Sequence, residues 1–154
     1  MTRLQLLPLV PAIVALDIAT KAWARAALYP GEAIELLPFF DLTLSFNRGV
    51  AFGFLNAAGP VFVLLVTAAI SAGFGVWFWR EPRALTRLAL ALVLGGALGN
   101  FVDRLWRGAV TDFLDVHVAG LHWPAFNLAD AAITCGALLL VVDMVRTRKE
   151  APSA

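Results

Sequence analysis

The run from about Pro60 to Trp79 carries no charged side chain, and this restricts the chain's fold more than any other feature. A helix needs about 20 mostly apolar residues to cross a hydrocarbon core. This run meets that length unaided. Three others reach it by including polar residues: about 4–27, interrupted by Asp17 and Lys21; about 86–105, ending on Asp103 and Arg104; and about 126–145, with Asp130 inside it. Composition agrees, with 60% of residues hydrophobic and 15% charged, whereas about a quarter of a soluble domain is charged. The expected fold is a mainly α membrane protein of four transmembrane helices, forming a single integral membrane domain over residues 1–154. The first run is read as an uncleaved span, because Asp17 and Lys21 interrupt what a signal peptide would keep apolar.

The tryptophans mark the span ends: Trp23, Trp77, Trp79, Trp106 and Trp123 form an interfacial belt. An even number of spans places both termini on one side. Arg3, Arg80, Arg83, Arg87, Arg146, Arg148 and Lys149 share that side and outnumber Lys21, Arg25, Arg48, Arg104 and Arg107 opposite. Both termini are therefore expected in the cytoplasm. Two longer connections lie outside. In the first, Asp41 to Asn47 alternates polar and apolar residues, which reads as a strand. Gly49 and Gly53 flank Val50 to Phe52, a second strand returning beside it, so a small extracytoplasmic β-sheet is expected over about 30–56. The second outer loop, about 106–125, is expected to contain a short helix around Phe113 and Leu114, dipping an apolar side into the interface.

Several chemistries are set aside. Twelve basic and eleven acidic residues give a net charge of +1, which supplies no surplus for a nucleic-acid backbone. Cys135 is the single cysteine, and is expected to be buried filler; His117 and His122 are the two histidines, expected on the loop surface. The chain has no HExxH, GxSxG or GxxxxGK motif, so neither a metal nor a cofactor is expected. Gly95 and Gly99 form a small-xxx-small pattern for close helix packing.

Ionisable groups at span ends are the functional candidates, because charge within a bilayer is expensive. Asp17 with Lys21, Asn100 with Arg104, and Asn127 with Asp130 each share a helix face. Asp17 and Lys21 read first as an i,i+4 ion pair that lowers the cost of both charges. Asp130 lies about 6 Å below the start of its span and has no basic neighbour in its own helix, so its partner comes from elsewhere; Asp112 and Asp115 are the available acids. Two carboxylates at a partly dry site share a proton unevenly, one acting as base on a water and the other as acid. That describes peptide hydrolysis by paired aspartates, and equally a proton or cation pathway. A non-catalytic assembly factor using the Gly95 and Gly99 face needs neither acid.

The segments Leu16 to Lys21, Phe46 to Gly53, Gly95 to Arg104, Gly108 to Leu114 and Phe126 to Ile133 resemble, in order, the successive motifs of the bacterial lipoprotein signal peptidases, or signal peptidase II. The departures, Val50, Phe101 and Val102, keep the apolar character. The resemblance implies an aspartic endopeptidase of the inner membrane that cuts diacylglyceryl-modified prolipoproteins on the N-terminal side of the lipidated cysteine. It places the catalytic aspartates at Asp112 and Asp130 and demotes Asp115. Asn47, Gly49, Asn100, Asp103, Arg104, Asn127 and Ala129, with Asp17 and Lys21 of the first motif, then line or support the substrate pocket. The implied partners are the prolipoprotein and membrane lipid, with no nucleic acid, around a monomer whose active site lies near the outer face.

Overall fold

A computed structural model describes residues 2–49 and 59–150. A short helix α1 (Arg3–Leu6) leads into α2 (Leu9–Ala27); strands β1 (Ala33–Leu37) and β2 (Phe40–Asn47) precede α3 (Gly59–Arg80) and α4 (Ala84–Arg107); β3 (Val110–Val118) and β4 (Leu121–His122) precede α5 (Leu128–Glu150). Thr2 and Gln5 form a capping box on α1, and Pro8, which has no N–H to donate, separates α1 from α2. Four helical segments are long and apolar enough to cross a membrane: Arg3–Ala27, Val61–Arg80, Ala84–Arg107 and Leu128–Arg148.

Helix α4 is the most buried of the four and packs against α2, α3 and α5. Its small residues permit this. A Cβ at Gly95 would lie 2.9 Å from Ile13 of α2, and one at Gly96 would lie 2.3 Å from the Ala129 carbonyl of α5. A Cβ at Gly136 of α5 would lie 2.6 Å from the Ala89 carbonyl. With no hydrophobic drive between helices in lipid, such close backbone approach is what associates them. Cys135 corrects the expectation of buried filler: because its neighbour Gly136 faces α4, the thiol points outward and is exposed.

The strands form one antiparallel sheet in the order β1-β2-β3-β4. The expected return strand at Val50 to Phe52 lies outside the described residues. The observed partners of β2 are β1 and β3, with Ala33 opposite Thr43 and Asp41 opposite Asp115. The short helix expected in the second outer loop is corrected: those residues are strands β3 and β4. Val110, Thr111, Val116 and Val118 are β-branched and suit a strand, and the backbone of residues 113 and 114 bonds Phe126, which no helix would allow. The apolar side of β3 still docks. Phe113 packs with Leu44 of β2 and with Ala24 and Leu28 at the end of α2, and meets Trp23 edge to face at 6.4 Å.

Candidate active site

The site is built where α2, α4, β3 and the start of α5 meet. Asn127 is the N-cap of α5 and Asp130 is its third helical residue. The Asp130 N–H donates to Asn127 Oδ1 at 3.0 Å, and the Asn127 N–H donates to Asp130 Oδ2 at 3.2 Å. This reciprocal arrangement is a capping box. It places Asp130 in the first turn, where the helix dipole favours an anion, and nearer the helix start than the expected depth of about 6 Å, because the cap begins the helix at Leu128.

Strand β3 carries Asp112 to the same place. Gly108 ends α4 in a left-handed conformation with φ 73°, turning the chain into β3. The Thr111 N–H then donates to Asp103 Oδ2 at 2.7 Å, while Arg25 Nη1 donates to Thr111 Oγ1 at 2.7 Å and pairs with Asp103 at 3.3 Å. On the far side, Phe126 pairs with Leu114 just before the α5 cap. Asp112, only 2% exposed, is thus held between two anchored points.

Amides join the two carboxylates. Asn127 Nδ2 donates to Asp112 Oδ1 at 2.6 Å and to Asn100 Oδ1 at 3.2 Å, and Asn100 Nδ2 donates to Asp130 Oδ1 at 2.7 Å. The Asn47 side chain at the end of β2 lies beside Asp112 and favours its charged form. Burial pushes the Asp112 carboxyl up to about 6, helped by the neighbouring Asp130 carboxylate and opposed by the amide donors and the Lys21 charge.

Behind this layer, Lys21 Nζ donates to Asp17 Oδ2 and to Asn100 Oδ1, both at 2.8 Å. Asp17 Oδ1 in turn accepts the N–H of Ala129 at 3.0 Å, an otherwise orphaned donor in the first turn of α5. Asp17 and Lys21 are therefore the ion pair their spacing implies and also tie α2 to α4 and α5. A Cβ at Gly99 would approach Asp17 Oδ2 to 2.6 Å, so glycine is needed there. Gly49, at φ 81° with its N–H bonded to Asn47 Oδ1 at 2.8 Å, turns the chain beside Val63.

Arg104 lies within electrostatic reach of Asp130, Asp112 and Asp103 without an ion pair to any of them, its Nε buried without a hydrogen-bond partner. With Arg48, Val61, Val63, Leu64 and Gly108 it lines a cavity of about 150 Å³. A second groove, about 490 Å³, runs past Asp130 between Val116, Trp123, Phe126, Ala131, Thr134 and Cys135. Asp115 lies apart from Asp112 and Asp130, paired with His122 at 2.9 Å. Among the described residues no group of three or more histidine, cysteine, aspartate or glutamate side chains is placed to hold a metal ion.

The sequence reading missed Arg25 and Thr111. Arg25 had a signal: it follows Asp17 and Lys21 at successive four-residue steps, on one face of α2. Thr111 had none beyond adjacency to Asp112, since its role depends on Asp103 of another element.

This arrangement can activate a water between two acids at the mouth of a helix bundle, beside an apolar groove. The family model for signal peptidase (SPase) II matches residues 9–146. The lipoprotein signal peptidase of Burkholderia thailandensis is 48% identical over 138 residues, covering 87% of this chain and 83% of that protein. That of Ralstonia nicotianae is 48% identical over 137 residues, covering 85% and 78%. A bacterial membrane enzyme solved by the in meso method at 2.3 Å superposes with a TM-score of 0.85 at 27% identity, covering 97% of this chain and 93% of that one. Another, solved by the same method at 1.9 Å, gives 0.82 at 29% identity, covering 91% and 92%. The chain is a membrane peptidase belonging to the signal peptidase II family, the lipoprotein signal peptidases.

Proposed function

We propose that the chain is an aspartic endopeptidase that cleaves diacylglyceryl-modified prolipoproteins on the N-terminal side of the lipidated cysteine, using Asp112 and Asp130. The observation that carries this is the continuous hydrogen-bonded path Asp112, Asn127, Asn100, Asp130. Asp130 accepts a hydrogen bond on each oxygen and sits at a helix N-terminus, which suits it to be the ionised base. Asp112, with its carboxyl pushed up to about 6, is suited to be the acid.

As Asp130 takes a proton from a water, the water oxygen bonds to the scissile carbonyl carbon and Asp112 gives its proton to the carbonyl oxygen. Collapse of the tetrahedral adduct breaks the C–N bond. The leaving nitrogen takes the proton held by Asp130, and a hydroxyl proton returns to Asp112, restoring both acids. Arg104, within electrostatic reach of both carboxylates, offsets part of their charge. The groove past Asp130 is apolar enough to receive lipid or the apolar signal segment, and Asn47 and Gly49 sit where β2 meets the dyad. The protein works as a monomer, one integral membrane domain of the inner membrane with both termini cytoplasmic and the dyad near the outer face. Labelling of cysteines introduced at Glu35 and Arg83 from opposite sides of the membrane would support that topology; labelling from one side would overturn it.

Binding energy from the lipid, remote from the scissile bond, serves to position that bond over the dyad. The deciding experiment is therefore cleavage by the purified protein of one precursor with and without its diacylglyceryl group. Turnover at saturation should fall sharply without the lipid; equal rates would reopen the choice among membrane proteases.

A further inference from the structure

Lys21 is 1% exposed in α2 and bonds Asp17 and Asn100, but neither acid of the dyad. Its ammonium has donors only. Of the two ends of the Asn100 amide it can therefore engage only Oδ1, which it does at 2.8 Å. That contact settles the direction of the amide. With Oδ1 turned to Lys21, Nδ2 is aimed at Asp130 Oδ1, 2.7 Å away. Asn127 Nδ2 also donates to Asn100 Oδ1, but at 3.2 Å and without charge, and charge-assisted bonds are roughly twice as strong as neutral ones. Asp17, itself held by the Ala129 N–H, keeps the ammonium in place.

The consequence for chemistry is directional. An amide turned the other way would present an oxygen to Asp130, which favours the protonated carboxyl, whereas Nδ2 favours the carboxylate. We propose that Lys21 is a positioning residue for the dyad: by holding Asn100 Oδ1 it aims Asn100 Nδ2 at Asp130 and keeps Asp130 as the proton-free partner. This rests on the dyad reading above.

The experiment is the pH dependence of kcat and KM on a lipidated precursor for purified Lys21→Met, Lys21→Arg, Asn100→Ala and the Lys21→Met/Asn100→Ala double variant. Because Lys21→Met strands the buried Asp17 carboxylate, Asp17→Asn/Lys21→Met, which removes both charges, is measured alongside it. In both Met variants the acid limb of the kcat profile should move to higher pH by roughly one unit or more. Below that limb kcat should fall at least tenfold, with KM changed by less than a factor of about three. Lys21→Arg, which keeps a donor-only cation, should hold the limb near its wild-type position. Asn100→Ala should show the same shift as Lys21→Met, and combining the two should add nothing.

An acid limb that stays put in the double-charge variant, or shifts that add in Lys21→Met/Asn100→Ala, would overturn the proposal and leave Lys21 as a strut between helices. That failure is separable from failure of the dyad reading, which would appear as retained turnover in Asp112→Asn or Asp130→Asn.

Discussion

Two sets of carboxylates on neighbouring parts of this molecule are kept in opposite company. Asp112 and Asp130 are linked by amides, with backbone N–H groups completing the network. Asp41 and Asp115 face one another across β2 and β3, with Glu35 of β1 opposite Asp41 in the same row. Like charges so placed repel, and what offsets them is imidazole: His117 approaches Asp41 at 3.3 Å, His122 approaches Asp115 at 2.9 Å, and the two rings stack at 4.7 Å. The polar bonding is incomplete there, since Asp41 Oδ1, Asp115 Oδ1 and His117 Nε2 are buried without a hydrogen-bond partner. Amides donate at every pH and carry no charge, so they can hold two acids together while leaving the proton free to move. Imidazoles compensate charge only when protonated, which suits a structural cluster within the sheet better than two acids that exchange a proton.

The largest effect expected from this contrast is on turnover. Asp112→Asn and Asp130→Asn should each lower kcat by about a thousandfold or more, since an amide replaces neither acid nor base, while the protein stays folded and membrane-inserted. Asp41→Asn and Asp115→Asn should stay within a few-fold of wild type. Equal losses in the two sets, measured on a lipidated precursor, would erase the distinction.

Stability separates them next. Asp17→Ala strands the buried Lys21 and removes the acceptor of the Ala129 N–H; a broken buried pair costs about 3–5 kcal/mol. Asp41→Ala should cost clearly less, because it also removes the repulsion of Asp41 with Glu35 and Asp115 opposite it. Unfolding in detergent, followed by intrinsic tryptophan fluorescence, compares them directly.

A smaller effect depends on pH. Burial raises the Asp112 carboxyl from 3.8 to about 6, so the folded protein holds that proton more tightly than the unfolded chain. The resulting stability is fully present below 3.8 and is lost as pH rises through about 6, on the order of 3 kcal/mol in all. Asp112→Asn has no such proton to lose. The stability of wild type relative to Asp112→Asn should therefore decline over that window, and a flat difference between the two unfolding series would contradict the burial argument.

The smallest effect is expected from this histidine and carboxylate cluster of the sheet. His117→Gln and His122→Gln should each change unfolding stability by no more than about 1 kcal/mol, as partly exposed ion pairs do, with turnover little altered. A large loss of turnover would mean that this end of β3 communicates with Asp112, three residues from Asp115.

Four helices and an acid at the start of the last were legible from the residues alone. Hydrocarbon is a demanding solvent, so long apolar runs have few alternatives, and an acid in such a run with no basic neighbour on its own helix signals a partner elsewhere. β2 was legible because its residue types alternate polar and apolar from Asp41 to Asn47, with Leu44 of the apolar set buried against Phe113. β3 was not. Its first residues, Val110 to Phe113, are buried on both faces, so the alternation disappears and Phe113 with Leu114 suggested a short amphipathic helix.

The residue types at the site were set by the sequence: paired acids, asparagines to join them, and small residues that let α4 approach its neighbours. Tertiary structure decided which acid meets which, and why Asp115 is excluded. The pairing of Phe126 with Leu114 and the hold of Asp103 on Thr111 fix how far β3 reaches, and therefore bring Asp112, not Asp115, to the α5 cap. Those bonds join separate elements, α4 to β3 and β3 to the start of α5, whose meeting depends on how the elements pack, so no local pattern could announce them.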